Sequence, residues 1–367
     1  MSTSIVFTGD ICFTQYFKDI NSNCISEDIK EFVYNTDYCV GNIEGAVFSL
    51  TEEKEKKEFL HYSDERAAKY LSDMGINVWN LANNHIFDFN ETGISETIKN
   101  CLKYNCNYVG ITEKQEDSHF IIHKEGGIGL LSITYSERNM IEYNGKYSYI
   151  DWNSCDIIQR EINKIKETNR WCILIVHGGE EFSCVPMPET RKKYINYLNM
   201  GADFIIAHHP HVLQEYEIIG NKIIFYSLGN YIFDTDFERI HKHTDKGVIV
   251  KLNFDHENVS WEYKLTKIDR KTNRLISSVE ESPIFININY DQYEKIWPFA
   301  ARALAEEEKS TLIYLKPEQF KRRYGLKWYF RDVRLFRHKK LRKQIIGKYR
   351  SLFMKQSNME IMEYLLK

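Results

Sequence analysis

Three histidines lie within four positions of the segment GADFIIAHHPHVLQ, at residues 201–214. Imidazoles gathered this closely rarely serve a hydrophobic core, because each would have to be buried with its ring nitrogens hydrogen-bonded. A neutral imidazole is the commonest metal ligand in proteins and suits borderline divalent cations such as Mn, Fe or Zn. The spacing therefore predicts a metal site to which His209 and His211 contribute.

Several other apolar runs also end in side chains that could bind a cation or transfer a proton. In chain order they are Asp10, Asn42, Glu44, Asn83, Asn84, His85, Asp88, His177, Glu181, Ser227 and Asn230. Carboxyl ends of strands are where α/β sheets place their ligands, so these residues are predicted to meet at one rim. Two cations roughly 3.5 to 4 Å apart could there clamp the attacking and leaving oxygens of a displacement reaction. The predicted ligands are Asp10, Glu44, Asn84, His177, His209 and His211, with the Glu44 carboxylate facing both ions.

The elements that must position these residues alternate along the chain. Short apolar runs such as SIVFTGD, WCILIVHGG and KIIFYSLGN read as strands buried on both faces. Amphipathic segments between the runs predict helices at 64–74, 92–104, 155–168 and 189–200. Two later runs, KGVIVKLNF and VSWEYKLTKID, have no helix between them and predict an antiparallel hairpin. The sequence thus predicts a layered α/β domain over residues 1–285.

Composition limits the function classes. The chain has 367 residues, 43% of them hydrophobic, and a formal net charge of −3, so the whole molecule is not an obvious nucleic-acid binder. No basic segment precedes a long apolar stretch near the N-terminus, and no apolar run approaches the roughly 20 residues that cross a bilayer. We therefore expect a cytoplasmic protein, with a peripheral position at the inner face of the membrane as an alternative.

Six motifs resemble those of the CapA family of bacterial capsule and poly-γ-glutamate synthesis proteins, which are related to the calcineurin-like metallophosphatases. They are GD, NIEG, ANNHxxD, HxGxE, HHPHV and YSLGNYIFD, in the family's order over about residues 4–234. The resemblance implies an αββα fold, a two-sheet sandwich flanked by helices. It also implies capsule, exopolysaccharide or poly-γ-glutamate metabolism as the biological setting.

The resemblance also implies a role for each residue. Asp10 would bind one metal ion, Asn84 the other, and Glu44 both, while His177, His209 and His211 complete the ligand set and His208 stays outside it. His85 would protonate the leaving group. A supporting contact is implied for Asn42. Supporting or substrate contacts are also predicted for Asp88, Ser227 and Asn230, while Glu181 either orients an imidazole or is solvated.

Three positions depart from the family pattern. Cys12 stands where metallophosphatases often have a histidine, which predicts a poorer site for one metal. Gly178 stands where the family tends to have Trp, which predicts an open pocket wall, and Asn90 stands where Gly is usual. Seven further histidines are interpreted as surface or loop residues: His61, His119, His123, His241, His243, His256 and His338.

The C-terminal region, residues 286–367, is predicted to be helical and basic. Thirteen lysines and arginines lie between residues 321 and 350, with apolar residues at helical spacing. Three interpretations remain open: a solvated bundle, docking on an anionic membrane surface, and binding of a polyanionic chain.

Two functions compete. The first is a metal-dependent hydrolase of the CapA type in which metal-activated water attacks a phosphoester, or an amide or ester, of an anionic small molecule or polymer. The second is a non-enzymatic accessory protein of a polymer-synthesis complex with a vestigial or structural metal site. A nucleic-acid phosphodiesterase is a weaker third interpretation, since it would need the basic tract beside the metal rim.

Overall fold

The computed structural model describes residues 2–17, 24–50, 60–113, 119–122 (as backbone), 127–255, 258–278, 285, 287–289, 291 and 293–298. The chain divides into two compact units, residues 1–289 and 290–367. In the second unit the structure describes residue 291 and a helical stretch at 293–298. The basic tract at 321–350 lies outside the described residues, so its predicted helices stay a prediction.

Strands and helices alternate through the first unit. The strands are β1 (Thr3–Ile11), β2 (Tyr38–Ile43), β3 (Ala46–Val47), β4 (Tyr62–Ser63), β5 (Val78–Asn80), β6 (Asn107–Val109), β7 (Thr112–Glu113), β8 (His119–Ile122), β9 (Ile128–Thr134), β10 (Tyr147–Ser148), β11 (Trp171–His177), β12 (Phe204–His208), β13 (Tyr216–Ile219), β14 (Lys222–Phe225), β15 (Asn230–Ile232), β16 (Lys246–Asp255), β17 (Asn258–Asp269) and β18 (Arg274–Ser277). The helices are α1 (Glu27–Tyr34), α2 (Arg66–Asp73), α3 (Asn90–Lys103), α4 (Arg138–Glu142), α5 (Cys155–Thr168), α6 (Pro188–Asn199) and α7 (Asp236–Ile240), and a 3-10 turn spans Gln15–Phe17.

Two large sheets form the centre of this unit. The first has the order β18-β17-β16-β1-β2-β5-β6, with β15 also paired to β1, and the second has the order β13-β14-β12-β11-β9-β8. Strands β1, β2, β5 and β6 are parallel to one another in the first sheet, as are β9, β11, β12 and β14 in the second. Both sheets therefore direct several carboxyl ends towards one edge, as the sequence predicted.

Alternating side chains of each strand fill different layers. Phe7 and Ile175 belong to the core between the sheets. Their neighbours point outwards: Val6 packs in the layer that contains α1, α2 and α3, and Leu174 in the layer that contains α5 and α6. Four layers result, in the order helix, sheet, sheet, helix, which confirms the predicted sandwich.

The helix predictions agree closely with the structure. Helix α5 has the predicted bounds, and its Ile158, Ile162 and Ile165 form a buried stripe at spacings of four and three residues. Helices α2, α3 and α6 begin and end within two residues of prediction. The predicted hairpin is confirmed by the antiparallel pairing of β16 with β17. Helix α1 and the parallel pairing of β15 with β1 were not predicted.

Among the described helices, none combines the length and the apolar character that crossing a bilayer requires.

The buried acid Glu215 lets the stability of this fold be tested against pH. Its Oε1 atom has no hydrogen-bond partner among the described residues, and burial, with Glu217 nearby, raises the pKa of the carboxyl to about 8. Between pH 4.5 and 8 the unfolded chain is ionised here while the folded chain keeps its proton, so the free energy of unfolding falls as pH rises. Glu215→Gln removes this loss, which is on the order of a few kcal/mol at pH 8.

Urea unfolding of both proteins at pH 5 and pH 8, with a chelator present, measures the effect. The stabilisation of Glu215→Gln over wild type should be larger at pH 8. Glu167→Gln, on the exposed side of α5, removes the same charge and should show no such difference. Equal effects of Glu215→Gln at both pH values would contradict the assignment.

Candidate metal centre

The Glu44 carboxylate, just after β2, is fully buried. Neither of its oxygens has a hydrogen-bond partner among the described residues. Its Oε1 atom instead lies near three imidazole nitrogens, 3.6 Å from His211 Nε2, 3.8 Å from His177 Nε2 and 3.9 Å from His85 Nε2. A buried anion without donors is costly, so this position requires a neutralising cation or proton.

Two groups of candidate ligands share that carboxylate. Glu44, His177 and His209 form one group, and Asp10, Glu44 and His211 form the other. Within each group the ligand atoms lie within 4.8 Å of one another, and all five residues are buried. The structure therefore brings together five of the six predicted ligands, with Glu44 common to both groups.

Asp10 lies near the end of β1, where the strand is irregular against β2 and pairs with β15. Its Oδ1 atom accepts from Asn42 Nδ2 at 2.7 Å and lies 3.3 Å from His208 Nδ1. The glycine before it is required by close approach, because a Cβ at Gly9 would lie 2.1 Å from the Gly229 carbonyl oxygen. The glycine of the GD motif thus allows β15 to pair closely with β1, and this pairing fixes Asp10 at the rim.

His209 and His211 follow β12 in strained backbone conformations. Their φ angles are 98° and 57°, a region that non-glycine residues rarely adopt and that costs about 1–3 kcal/mol for each residue. The conformation turns both imidazoles into the centre, where His211 Nδ1 lies 3.0 Å from Asn230 Oδ1 and His209 Nε2 lies 3.7 Å from Glu181 Oε1. Strain of this kind persists where the surrounding structure fixes it, as at a binding site.

Asn84, the sixth predicted ligand, lies beside the first group. Its Oδ1 atom is 2.9 Å from His177 Nε2. Two ligand atoms at right angles in octahedral coordination, each about 2.1 Å from one cation, would be about 3 Å apart, so this spacing fits a shared ion. Asn42, on the far side of the His177 ring, places Nδ2 3.2 Å from Nδ1.

His85 lies at the edge of the centre and is held by Asp88. Its Nδ1 atom is 2.8 Å from Asp88 Oδ2, which also accepts from the His61 backbone N–H at 2.9 Å. The His61 ring packs edge-on against the His85 ring with centroids 4.0 Å apart. His61 lies in the loop before β4, as predicted, but it is half-buried there. The loop approaches Gly45 closely, because a Cβ at Gly45 would lie 2.3 Å from the His61 carbonyl oxygen.

The electrostatics of the centre separate its two carboxylates. Burial raises the pKa of Glu44 to about 8, and the Asp10 charge adds to this effect. Burial would also raise the pKa of Asp10, but the nearby His208 imidazole and the charge of His211 outweigh it and lower the pKa to about 2. Asp10 is therefore ionised at neutral pH, whereas Glu44 needs a positive partner to become so.

The histidines divide in the same way. Burial, together with neighbouring His209, holds the pKa of His177 well below its usual 6.5, so this ring is a neutral ligand at pH 7. Burial would also lower the pKa of His211, but Glu44, Glu238 and Asp10 raise it to about 10. A divalent cation would replace the proton that His211 holds, since metal binding and protonation compete for the same nitrogen.

These donors fit divalent cations. Carboxylate oxygens and imidazole nitrogens are ligands of Mn, Fe and Zn. Such ions would bind the Glu44 oxygens, which have no hydrogen-bond partner among the described residues. Cys12 is buried, and burial raises the pKa of its thiol, so it would be a poor ligand at neutral pH. The group of Asp10, Glu44 and His211 is accordingly the poorer one.

The other predicted positions vary in outcome. Ser227 lies in the turn before β15, where its Oγ accepts from the Gly229 N–H, and Asn83 Nδ2 donates to the Ile43 carbonyl. Asn90 has φ = 52°, which explains why Asn can replace the usual Gly there. The expected open wall at Gly178 was wrong, because the Trp152 ring fills that space and would lie 2.7 Å from a Cβ at Gly178.

Other residues near the centre were missed. His241 lies in the loop after α7, as predicted, but it is buried and stacks on Phe182 with ring centroids 3.7 Å apart, so it is not a surface residue. Glu137 accepts from Asn84 Nδ2 at 3.1 Å, and Tyr135 donates to the same Glu137 oxygen at 2.8 Å. The polar end of β9, with the sequence TYSE, could have pointed to Tyr135 and Glu137, because it ends a strand as the other site residues do.

Comparison with known proteins places this centre in a family context. A profile of the bacterial capsule synthesis protein family PGA_cap matches residues 4–235. The capsule biosynthesis protein CapA of Bacillus anthracis is 29% identical over 253 residues, which are 64% of this chain and 61% of that protein. The PGA biosynthesis protein CapA of Bacillus subtilis is 27% identical over 280 residues, 72% of this chain and 71% of that protein. The chain thus spans less than two thirds of the first of these relatives.

Similarity to solved structures is lower. A 5'-nucleotidase from Candida albicans has a TM-score of 0.40 and 10% identity, with 71% of this chain and 50% of that chain covered. A similarity of this size carries no argument about activity, and the two-sheet architecture rests on the strand order of this chain.

The shared carboxylate predicts how metal content responds to substitution. Glu44→Gln should lose both cations, because it removes the charge common to the two groups. His209→Ala and His211→Ala should each lose one cation, while His177→Ala should lose the same cation as His209→Ala. Elemental analysis after loading with Mn and desalting measures the number of ions per chain.

The exposed His243 offers a matched control, since His243→Asn removes an imidazole outside both groups and suits the positive φ there. This variant should keep the wild-type metal content. Two retained ions in Glu44→Gln would contradict the sharing of that carboxylate.

Proposed function

We propose that this chain, which belongs to the bacterial capsule synthesis protein family PGA_cap, is a metal-dependent hydrolase. Its substrate would be a phosphoester, with an amide or ester as the alternative, in capsule, exopolysaccharide or poly-γ-glutamate metabolism. The observation that carries the proposal is the pair of ligand groups that share buried Glu44. Such an arrangement suits two divalent cations of the Mn, Fe or Zn type acting on one reacting group.

The residues of the centre divide into metal ligands, with the residues that support them, and a proton donor. Glu44, Asn84, His177 and His209 would hold one cation, and Asp10, Glu44 and His211 the other. When bound, two such cations would lower the pKa of water and neutralise charge on the reacting oxygens. Asn42 holds Asp10 in place through its 2.7 Å hydrogen bond.

His85 is the proton donor of the proposal. Burial would lower the pKa of its ring, but Asp88 and Glu44 outweigh burial and raise the pKa above its usual 6.5, which favours the protonated imidazole that a proton donor needs. His85 Nδ1 is hydrogen-bonded to Asp88, and its Nε2 is directed towards Glu44 at the edge of the centre. Asn139 Nδ2 donates to Asp88 Oδ1 at 3.0 Å and fixes this carboxylate. A leaving oxygen within reach of Nε2 would receive its proton there.

A non-enzymatic role is the second candidate, and Cys12 favours it. The thiol stays protonated where a further histidine would strengthen the second ligand group. The protein would then act as an accessory subunit of a polymer-synthesis complex, with a single structural cation. Docking through the basic C-terminal region, on a membrane surface or on the complex, remains part of this alternative, as does a cytoplasmic location.

Metal content and turnover together separate the two functions. Protein purified without chelators should contain a divalent metal, and a phosphoester panel with added Mn, Fe, Zn or Mg should show turnover. Glu44→Gln, prepared in the same way, measures contaminating phosphatase activity. Stoichiometric metal with no turnover of any phosphoester, ester or amide, and capsule loss on deletion, would favour the accessory role.

His85→Ala tests the proton donor. The variant should keep its metal content, because His85 belongs to neither ligand group, but its kcat should fall by roughly 10²- to 10⁴-fold. The loss should be largest for substrates whose leaving groups have high pKa, since these need a proton most.

A series of aryl phosphates of increasing leaving-group pKa gives this dependence directly. The role assignment is wrong if His85→Ala loses metal while His177→Ala retains it. It is also wrong if His85→Ala slows all substrates of the series equally.

A further inference from the structure

Asn84 is the one amide among the predicted metal ligands, and its orientation decides whether it can act as one. An amide has an oxygen that accepts and a nitrogen that donates, and the two ends are nearly equal in size. Only the oxygen can bind a cation. In the structure Oδ1 faces His177 Nε2 at 2.9 Å, and Nδ2 faces away from the centre and donates to Glu137 Oε1 at 3.1 Å.

We propose that Glu137 is a positioning residue that selects the metal-binding orientation of Asn84. This inference rests on the proposed metal centre. An ionised carboxylate accepts hydrogen bonds and donates none. It can therefore satisfy Nδ2 but repels Oδ1, and the flipped amide would lose a hydrogen bond and place two oxygens in contact.

Glu137 is itself held by a neighbour of the same ligand group. The Tyr135 hydroxyl donates to Glu137 Oε1 at 2.8 Å. The Tyr135 ring is buried and packs against His209 with centroids 4.6 Å apart, and it stacks near His177 at 6.5 Å. Glu137 thus contacts the Asn84 amide, and Tyr135 contacts both Glu137 and the two imidazoles that would bind the same cation as Asn84.

The charge of Glu137 also explains why an amide suits position 84. An aspartate there would place a second carboxylate about 3 Å from Glu137 with no hydrogen between them, and like charges this close destabilise each other. Glu137 therefore favours an asparagine ligand at this position and opposes an aspartate. The same residue should help one side chain and hinder the other, which a purely structural role would not do.

Manganese affinity of the full chain, measured by equilibrium dialysis at one pH, tests this assignment through a double-mutant cycle. Glu137→Ala should weaken binding by about 10- to 100-fold, the range typical of residues that orient a ligand. In an Asn84→Ala background the same change should alter affinity less than about threefold, because no amide remains to be oriented. In an Asn84→Asp background Glu137→Ala should tighten binding.

Two further variants complete the experiment. Glu142→Ala removes an equal charge from the exposed face of α4, in the same segment, and should leave affinity unchanged. Glu137→Gln can still accept from Asn84 but no longer repels its oxygen, so it should give smaller changes of the same sign. It replaces Glu137→Ala if thermal melting shows that the alanine variant does not fold.

Equal losses from Glu137→Ala in the wild-type and Asn84→Ala backgrounds would overturn the inference, as would a loss in the Asn84→Asp background. An absence of manganese binding by wild type would instead remove the proposed centre itself. That result would be seen before any variant is compared, so the two failures are distinguishable.

Discussion

A buried carboxylate without hydrogen-bond donors is the constraint on which this structure depends. Glu44 lies at the end of a central strand, with both oxygens unsatisfied by described hydrogen-bond donors and three imidazoles within 4 Å of one of them. Burying such a group costs several kcal/mol unless a positive charge compensates it. The pKa of Glu44 is raised because burial disfavours its charge, and the pKa of His211 is raised because the acids around it favour a positive imidazole. A bound cation would satisfy the two residues together.

The fold meets this constraint by bringing strand ends from two sheets to one place. Asp10 and Glu44 come from the first sheet, and His177, His209 and His211 follow strands of the second. Local strain completes the convergence, since His209 and His211 adopt positive φ angles and Gly9 permits contact with Gly229. Hydrophobic cores pack on both faces of each sheet, and the stability that they provide offsets the cost of this strain.

The sequence predicted those parts of the molecule that have a local signal. The bounds of α5, the β16–β17 hairpin and the αββα layers follow from hydrophobic periodicity or from family motifs, and the structure confirms them. Glu137 has only a weak signal, the polar sequence that ends β9, and His61 and Trp152 have none. Each reaches the centre from a loop or short connection, so its place depends on tertiary packing that no local pattern encodes. Predicted roles that depend on a bound ion stay predictions.

The central claim is that two cations share Glu44, and anomalous scattering from crystals soaked in manganese tests it most directly. Two peaks, both adjacent to the Glu44 carboxylate, one beside His209 and one beside His211, are the expected result. A single peak that Glu44 does not contact, or two peaks with no residue in common, would contradict the claim.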